Sequence, residues 1–143
     1  MLINLHLEAY DSGEGKEAQT KQLVSLMQEE YAKGNYVIAG GDFNQRFTNI
    51  DQSAYPVYDG MWQPGVIDAS SFGSSFTLLM DNAFPTCRSL DRAYAGAEKE
   101  GFQFYLIDGF ILSPNVEAES VETLDYGFIC SDHNPVRMVF SLK

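Results

Sequence analysis

Four short stretches hold residue types that could do chemistry together. In Gly40-Gly41-Asp42-Phe43-Asn44 a carboxylate and an amide stand two residues apart, behind a pair of glycines. Asp108 interrupts an otherwise apolar run, QFYLIDGFIL, over 103–112. His133 lies between Asp132 and Asn134 in a segment closed by Pro135, and His6 follows Asn4 in an alternating stretch near Met1. Each has an ordinary reading: a Gly-Asp turn with an Asx hydrogen bond, a strand edge open to water, a plain loop, a solvated strand face. The chemical reading joins them. Oxygen donors such as Asp42 suit a hard cation such as magnesium, which takes one or two protein carboxylates and keeps several waters. A carboxylate on an apolar strand face needs a partner, and His133 is a natural one for Asp108. A carboxylate on one imidazole nitrogen orients the other toward a substrate and favours the charged ring. Acid–base or metal chemistry needs such groups to converge from separate strands, so their joint presence counts against four unrelated loops.

Those side chains are useful only if regular elements carry them. Residues 2–7 alternate with period two, with Ile3, Leu5 and Leu7 on one face and Asn4 and His6 on the other, which predicts a strand. Residues 16–33 space Leu23, Met27 and Tyr31 by four, with Leu26 beside them and Gly34 at the end, as in an amphipathic helix. A strand over 36–39 follows, so the opening reads strand, helix, strand, the unit of a right-handed crossover. The glycines after it leave room for other backbone or a ligand. Residues 45–102 break every periodicity yet are rich in rings, which predicts long ordered loops forming one wall of a pocket. Strands return over 103–112 and 136–142, with an extended segment at 116–126, and the class is mixed α and β with layered sheets.

The chain has 143 residues, 45% of them hydrophobic, enough for one domain or part of one with a real core. Twenty acidic against nine basic residues give a net charge of -11, which repels nucleic-acid backbones at long range. Cys87 and Cys130 lack CxxC spacing, which argues against a zinc site made of thiolates and leaves two buried thiols as the expectation. No apolar run approaches the ~20 residues of a membrane span, and no signal pattern opens the chain. The expectation is a soluble protein with no visible address.

Taken in order, NLHLEAY at 4–10, VIAGGDFN at 37–44, YLIDGFILSPNV at 105–116 and SDHNPV at 131–136 resemble the endonuclease/exonuclease/phosphatase superfamily. These are metal-dependent phosphohydrolases, among them pancreatic-type deoxyribonucleases, abasic-site endonucleases, inositol-polyphosphate 5-phosphatases and bacterial sphingomyelinases. The resemblance covers nearly all of the chain outside the middle loops. It implies an α/β (α+β) fold, the C-terminal half of a four-layer α/β sandwich with packed β-sheets flanked by helices. It implies a hydrolase of phosphoester bonds that uses Mg2+ (or Mn2+). Residue by residue, Asp42 resembles the aspartate that aligns the attacking water near the metal, and Asn44 the amide that steadies nucleophile and phosphate. His133 is similar to the histidine on the scissile phosphate, with Asp108 as its orienting carboxylate. Asp132 resembles the aspartate that binds or supports the metal, His6 the second histidine that stabilises phosphoryl charge, and Asn4 its support.

The resemblance also implies a departure. The first-half asparagine and the glutamate that is the family's principal magnesium ligand have no counterpart in this chain, so residues 1–143 are expected to be a C-terminal portion with the N-terminal half absent. Such a half would expose apolar sheet faces and would form a homodimer or pair with the missing half, and it would hold metal weakly. The acidic balance leans toward a small phosphoester, a sugar phosphate or a lipid headgroup over nucleic acid. Arg88 and Arg92 are candidates to touch a phosphate, with surface ion pairing as the competing reading. A noncatalytic binding module of the same shape, or a specific nuclease, are the alternatives.

Overall fold

The structure, a computed structural model, describes residues 1–11, 13–95 and 101–143, so residues 96–100 of the expected loop region lie outside the described residues. The chain opens with β1 (Leu2–His6), α1 (Glu14–Ala32) and β2 (Ile38–Asp42). β1 and β2 pair in parallel, as a strand–helix–strand unit should. α1 buries Leu23 and Met27 and rests Tyr31 on the same core, while Leu26, expected beside that stripe, stays 38% exposed. Gly34, at φ 85°, takes the left-handed turn that ends the helix.

β2 does not stop at Ala39. It runs through both glycines to Asp42, and the reason is close packing. A Cβ on Gly40 would lie 2.7 Å from the Phe110 ring, and one on Gly41, which sits at φ 141°, would collide with the Leu5 carbonyl. The glycines therefore make room for neighbouring protein, where the sequence reading also allowed a ligand.

The middle of the chain is built from short pieces: β3 (Gln45–Phe47), β4 (Gly65–Ile67), a 3-10 turn at Ala69–Phe72, β5 (Thr77–Leu79) and β6 (Cys87–Arg88). Part of its aromatic content is core, since Phe47 and Phe72 are fully buried. β7 (Phe104–Tyr105) and β8 (Asp108–Leu112) replace the single strand expected over 103–112. The Thr86 hydroxyl accepts from the N–H groups of both Ile107 and Asp108 at the break, at 3.1 and 3.2 Å, in place of a ladder partner. Side-chain parity shifts there: Leu106 packs into one cluster, Phe110 and Leu112 into another, although period two would put all three on one face. β9 (Val116–Thr123) and β10 (Val136–Leu142) form an antiparallel pair with an irregularity between Val139 and Phe140.

The main sheet has the order β1-β2-β8-β5, with β8 antiparallel to both neighbours. β3–β4, β6–β7 and β9–β10 are two-stranded. Ala39, Leu78 and Ile111 share a core with Leu23 and Met27 of α1 and with Phe72, while Ile38 and Leu112 pack with Val116, Ala118 and Met138 of β9 and β10. The result is a mixed α+β fold, mostly strand, with one α-helix among the described residues. None of its described helices is long and apolar enough to cross a membrane. Cys87 is buried, but Cys130 is exposed, contrary to the expectation of two buried thiols.

Candidate functional site

Strand register brings three of the candidate residues into one row. His6 ends β1 opposite Asp42, and Asp42 ends β2 opposite Asp108, the first residue of antiparallel β8. Residues directly opposite in a sheet share a face, so an imidazole and two carboxylates from three strands stand side by side at one end. His6 Nε2 lies 3.6 Å from Asp42 Oδ2.

His133 joins the row from the loop before β10. Its N–H donates to Ser131 Oγ at 3.1 Å. The loop is pinned to β6 by Arg88 N–H donating to the Asp132 carbonyl at 2.9 Å and Asn134 N–H to the Thr86 carbonyl at 2.8 Å, which places His133 opposite Cys87. Asn134 is buried, and its side chain donates to the Pro85 carbonyl at 3.0 Å and accepts from Tyr126 N–H at 3.2 Å. So held, His133 Nδ1 meets Asp108 Oδ2 at 2.9 Å, and Nε2 lies 3.8 Å from Asp42 Oδ2. The Asp108–His133 pairing expected from the sequence is present.

Asn44 sits in the left-handed region at φ 51°, two residues past β2, and is buried. Its backbone N–H donates to Asp42 Oδ1 at 2.7 Å, and its amide donates to Asp42 Oδ2 at 3.2 Å and to the Leu7 carbonyl at 2.9 Å. The Asx turn is therefore present, alongside the convergence of side chains from separate strands. The turn is what fixes the Asp42 carboxylate in the row.

Electrostatically, two groups of the row are shifted from their ordinary values. Burial raises the Asp42 carboxyl above its usual range, and the neighbouring Asp108 charge adds to this, while Asn44 N–H and both imidazoles oppose it. For His133, burial works against the charged ring, yet the hydrogen bonds and charges of Asp108 and, after it, Cys87 outweigh it and lift the imidazole to about 11. Cys87 adds to that lift only as a thiolate, and burial pushes its thiol up. At neutral pH Asp108 is the group that keeps His133 charged.

His6, Asp42 and His133 line a pocket of about 590 Å³ together with Asn44, Asp132 and Trp62, while Asp108 lines an adjoining groove. Trp62 packs edge-on against Tyr105 at 5.2 Å, and its indole N–H donates to the Ala9 carbonyl at 2.8 Å. Arg88 lines the same pocket; its Nη1 donates to the Ser89 carbonyl at 3.0 Å, its guanidinium lies over Tyr94, and its Nε is buried without a hydrogen-bond partner among the described residues. Arg92 instead covers Phe102 and donates to the Gly101 carbonyl at 2.7 Å, outside the pocket walls. Asn4 lies in register with Gly40 and lines an adjoining groove with Phe110, so it neighbours the row without facing the pocket.

Among the described residues, two sets of side chains bring potential metal-ligand atoms within 4.8 Å of one another: Asp42, Asp108 and His133, and Cys87, Asp132 and His133. Cys87, Thr86 and Tyr105 were not legible as site residues. Their signal is tertiary, because Cys87 reaches His133 only through a bridge between segments far apart in sequence. No protein-family model matches the chain, and no curated protein matches it either.

Proposed function

We propose that the protein is a Mg2+- or Mn2+-dependent hydrolase of phosphoester bonds, a phosphodiesterase or phosphatase. The observation that carries this reading is the row His6, Asp42, Asp108, aligned by strand register and completed by His133, with His6, Asp42 and His133 lining one pocket and Asp108 behind them on His133 Nδ1. The pocket also holds Asp132 and Asp91, so with Asp42 three carboxylates stand against Arg88 and the charged His133. Asp42, whose ligand oxygen lies within 4.8 Å of ligand atoms of Asp108 and His133, is the kind of oxygen donor a hard cation takes, while Asp132, on the wall of the same pocket, groups instead with Cys87 and His133; the excess negative charge is what the ion would offset, so the residues fit the metal. When bound there, the ion would neutralise charge on the nonbridging phosphoryl oxygens and make the attacking water more acidic.

The protein's own groups do the rest. Asp42, steadied by Asn44 and less acidic than usual, aligns the water in line with the leaving oxygen and accepts its proton. His133, kept charged by Asp108, donates to a phosphoryl oxygen, and His6 stabilises the same charge from the edge strand. Trp62, Met61 and Leu90 offer an apolar wall for the organic group of the ester. With a net charge of -11, a small phosphoester or lipid headgroup fits better than nucleic acid. The same reading takes the chain as the C-terminal portion of a four-layer sandwich of the endonuclease/exonuclease/phosphatase superfamily.

The test is hydrolysis of an aryl phosphodiester and an aryl phosphomonoester with Mg2+ or Mn2+, alongside His133→Ala. We expect metal-dependent turnover that falls roughly 100-fold or more in the variant. No turnover by the folded protein, or equal turnover by both, would overturn the proposal for this chain.

A further inference from the structure

We propose a second cation site, for a thiophilic divalent ion such as Zn2+, made by Cys87, Asp132 and His133. The main chain builds it. Cys87 and His133 face each other across an antiparallel bridge whose flanking hydrogen bonds are Arg88 N–H to the Asp132 carbonyl and Asn134 N–H to the Thr86 carbonyl. That makes Cys87 and His133 a non-hydrogen-bonded pair, the kind in which side chains come closest. Asp132 is the preceding residue of the same anchored loop. The three ligand atoms already lie within 4.8 Å of one another, and a tetrahedral zinc ion holds its ligand atoms roughly 3–4 Å apart, so small side-chain rotations close the site.

The donor set chooses the metal. One sulfur, one imidazole nitrogen and one carboxylate oxygen match zinc, whereas magnesium avoids sulfur. Asp108 holds His133 Nδ1 at 2.9 Å, which leaves Nε2 to give its lone pair. A histidine whose other nitrogen donates to a carboxylate is the usual form of a zinc-bound imidazole. Three protein ligands leave a fourth position facing the pocket, which all three residues line, so the ion has an entry path. Binding is redox-neutral: the sulfur–zinc and nitrogen–zinc bonds form as the thiol proton and the imidazolium Nε2 proton leave to solvent.

The site shares His133 with the hydrolytic row and Asp132 with the carboxylates offered to the hard cation. Occupied by zinc, His133 has no proton to offer a phosphoryl oxygen, so the ion inhibits hydrolysis and magnesium does not substitute for it. This consequence rests on the proposed function; the site itself does not.

The deciding experiment titrates the intact chain with Co2+ in magnesium-free buffer. The expected result is one equivalent of Co2+ giving tetrahedral visible bands and a thiolate-to-cobalt charge-transfer band, displaced by Zn2+. Cys87→Ser should abolish the charge-transfer band, Asp132→Asn should weaken binding about tenfold or more, and Cys130→Ser should change neither, with circular dichroism confirming that each variant is folded. Absence of the band, or its loss in Cys130→Ser with retention in Cys87→Ser, overturns the site. In the hydrolysis assay, Zn2+ should inhibit wild type at concentrations at least about tenfold below those needed for Cys87→Ser. Hydrolysis without a cobalt band sinks the zinc site alone; a cobalt band without hydrolysis sinks the proposed function alone.

Discussion

Asp108 joins the two halves of the candidate site. It lies beside Asp42 in strand register and raises that carboxyl, and it binds His133 Nδ1 and holds that ring in its charged form. Because His133 binds its proton more tightly folded than unfolded, its contribution to stability is complete below the ordinary value of 6.5. It drains away as pH rises toward about 11. Asp108→Asn should flatten that slope in thermal unfolding scans, and an NMR titration of the metal-free protein should show the His133 ring protons shifting near the ordinary histidine range. An unchanged titration in the variant would mean that another group holds the ring. This partnership was legible in the sequence because a charged residue in an apolar strand demands a counterpart. Cys87 was not, since a thiol between Thr86 and Arg88 carries no local sign of the histidine it faces.

Glycine was the element-scale signal most open to misreading. Reading Gly40-Gly41 as a terminator ends β2 at Ala39, but tertiary packing requires glycine inside the strand. The same two residues set how closely β1 and Phe110 approach β2, and thus whether His6, Asp42 and Asp108 line up. Gly41→Ala combines an unfavourable φ of 141° with a collision at the Leu5 carbonyl. It should destabilise the protein by about 2–4 kcal/mol in urea unfolding. Any folded remainder should lose activity with His6 displaced. The long apolar pattern at 103–112 likewise concealed a break, because the Thr86 hydroxyl that replaces two ladder bonds lies 21 and 22 residues away in sequence. Elements with clean period, β1, α1 and β10, were legible to within a few residues.

At the scale of the whole molecule, two strands of this acidic protein carry exposed apolar side chains. Leu2 on β1 is 79% exposed, and Val139, Phe140 and Leu142 on β10 are also exposed. Apolar side chains gathered on strands in this way mark an interaction surface. We expect the protein to elute as a dimer at micromolar concentration, and Phe140→Lys with Leu142→Lys to return it to a monomer with an unchanged circular dichroism spectrum. Elution of the wild type as a monomer would show that these side chains are merely solvated. The mixed α+β class was readable from the order of periods, whereas the partition into one four-stranded and three two-stranded sheets depends on non-local pairings that no local pattern encodes.

The chain contains one tryptophan, and it stands in the pocket wall against Tyr105. Its fluorescence is therefore a built-in optical probe of that pocket, free of signal from any other indole. An ester or ion entering near Trp62 changes the emission without a label, and the same cuvette can follow both binding and the loosening of the wall on heating.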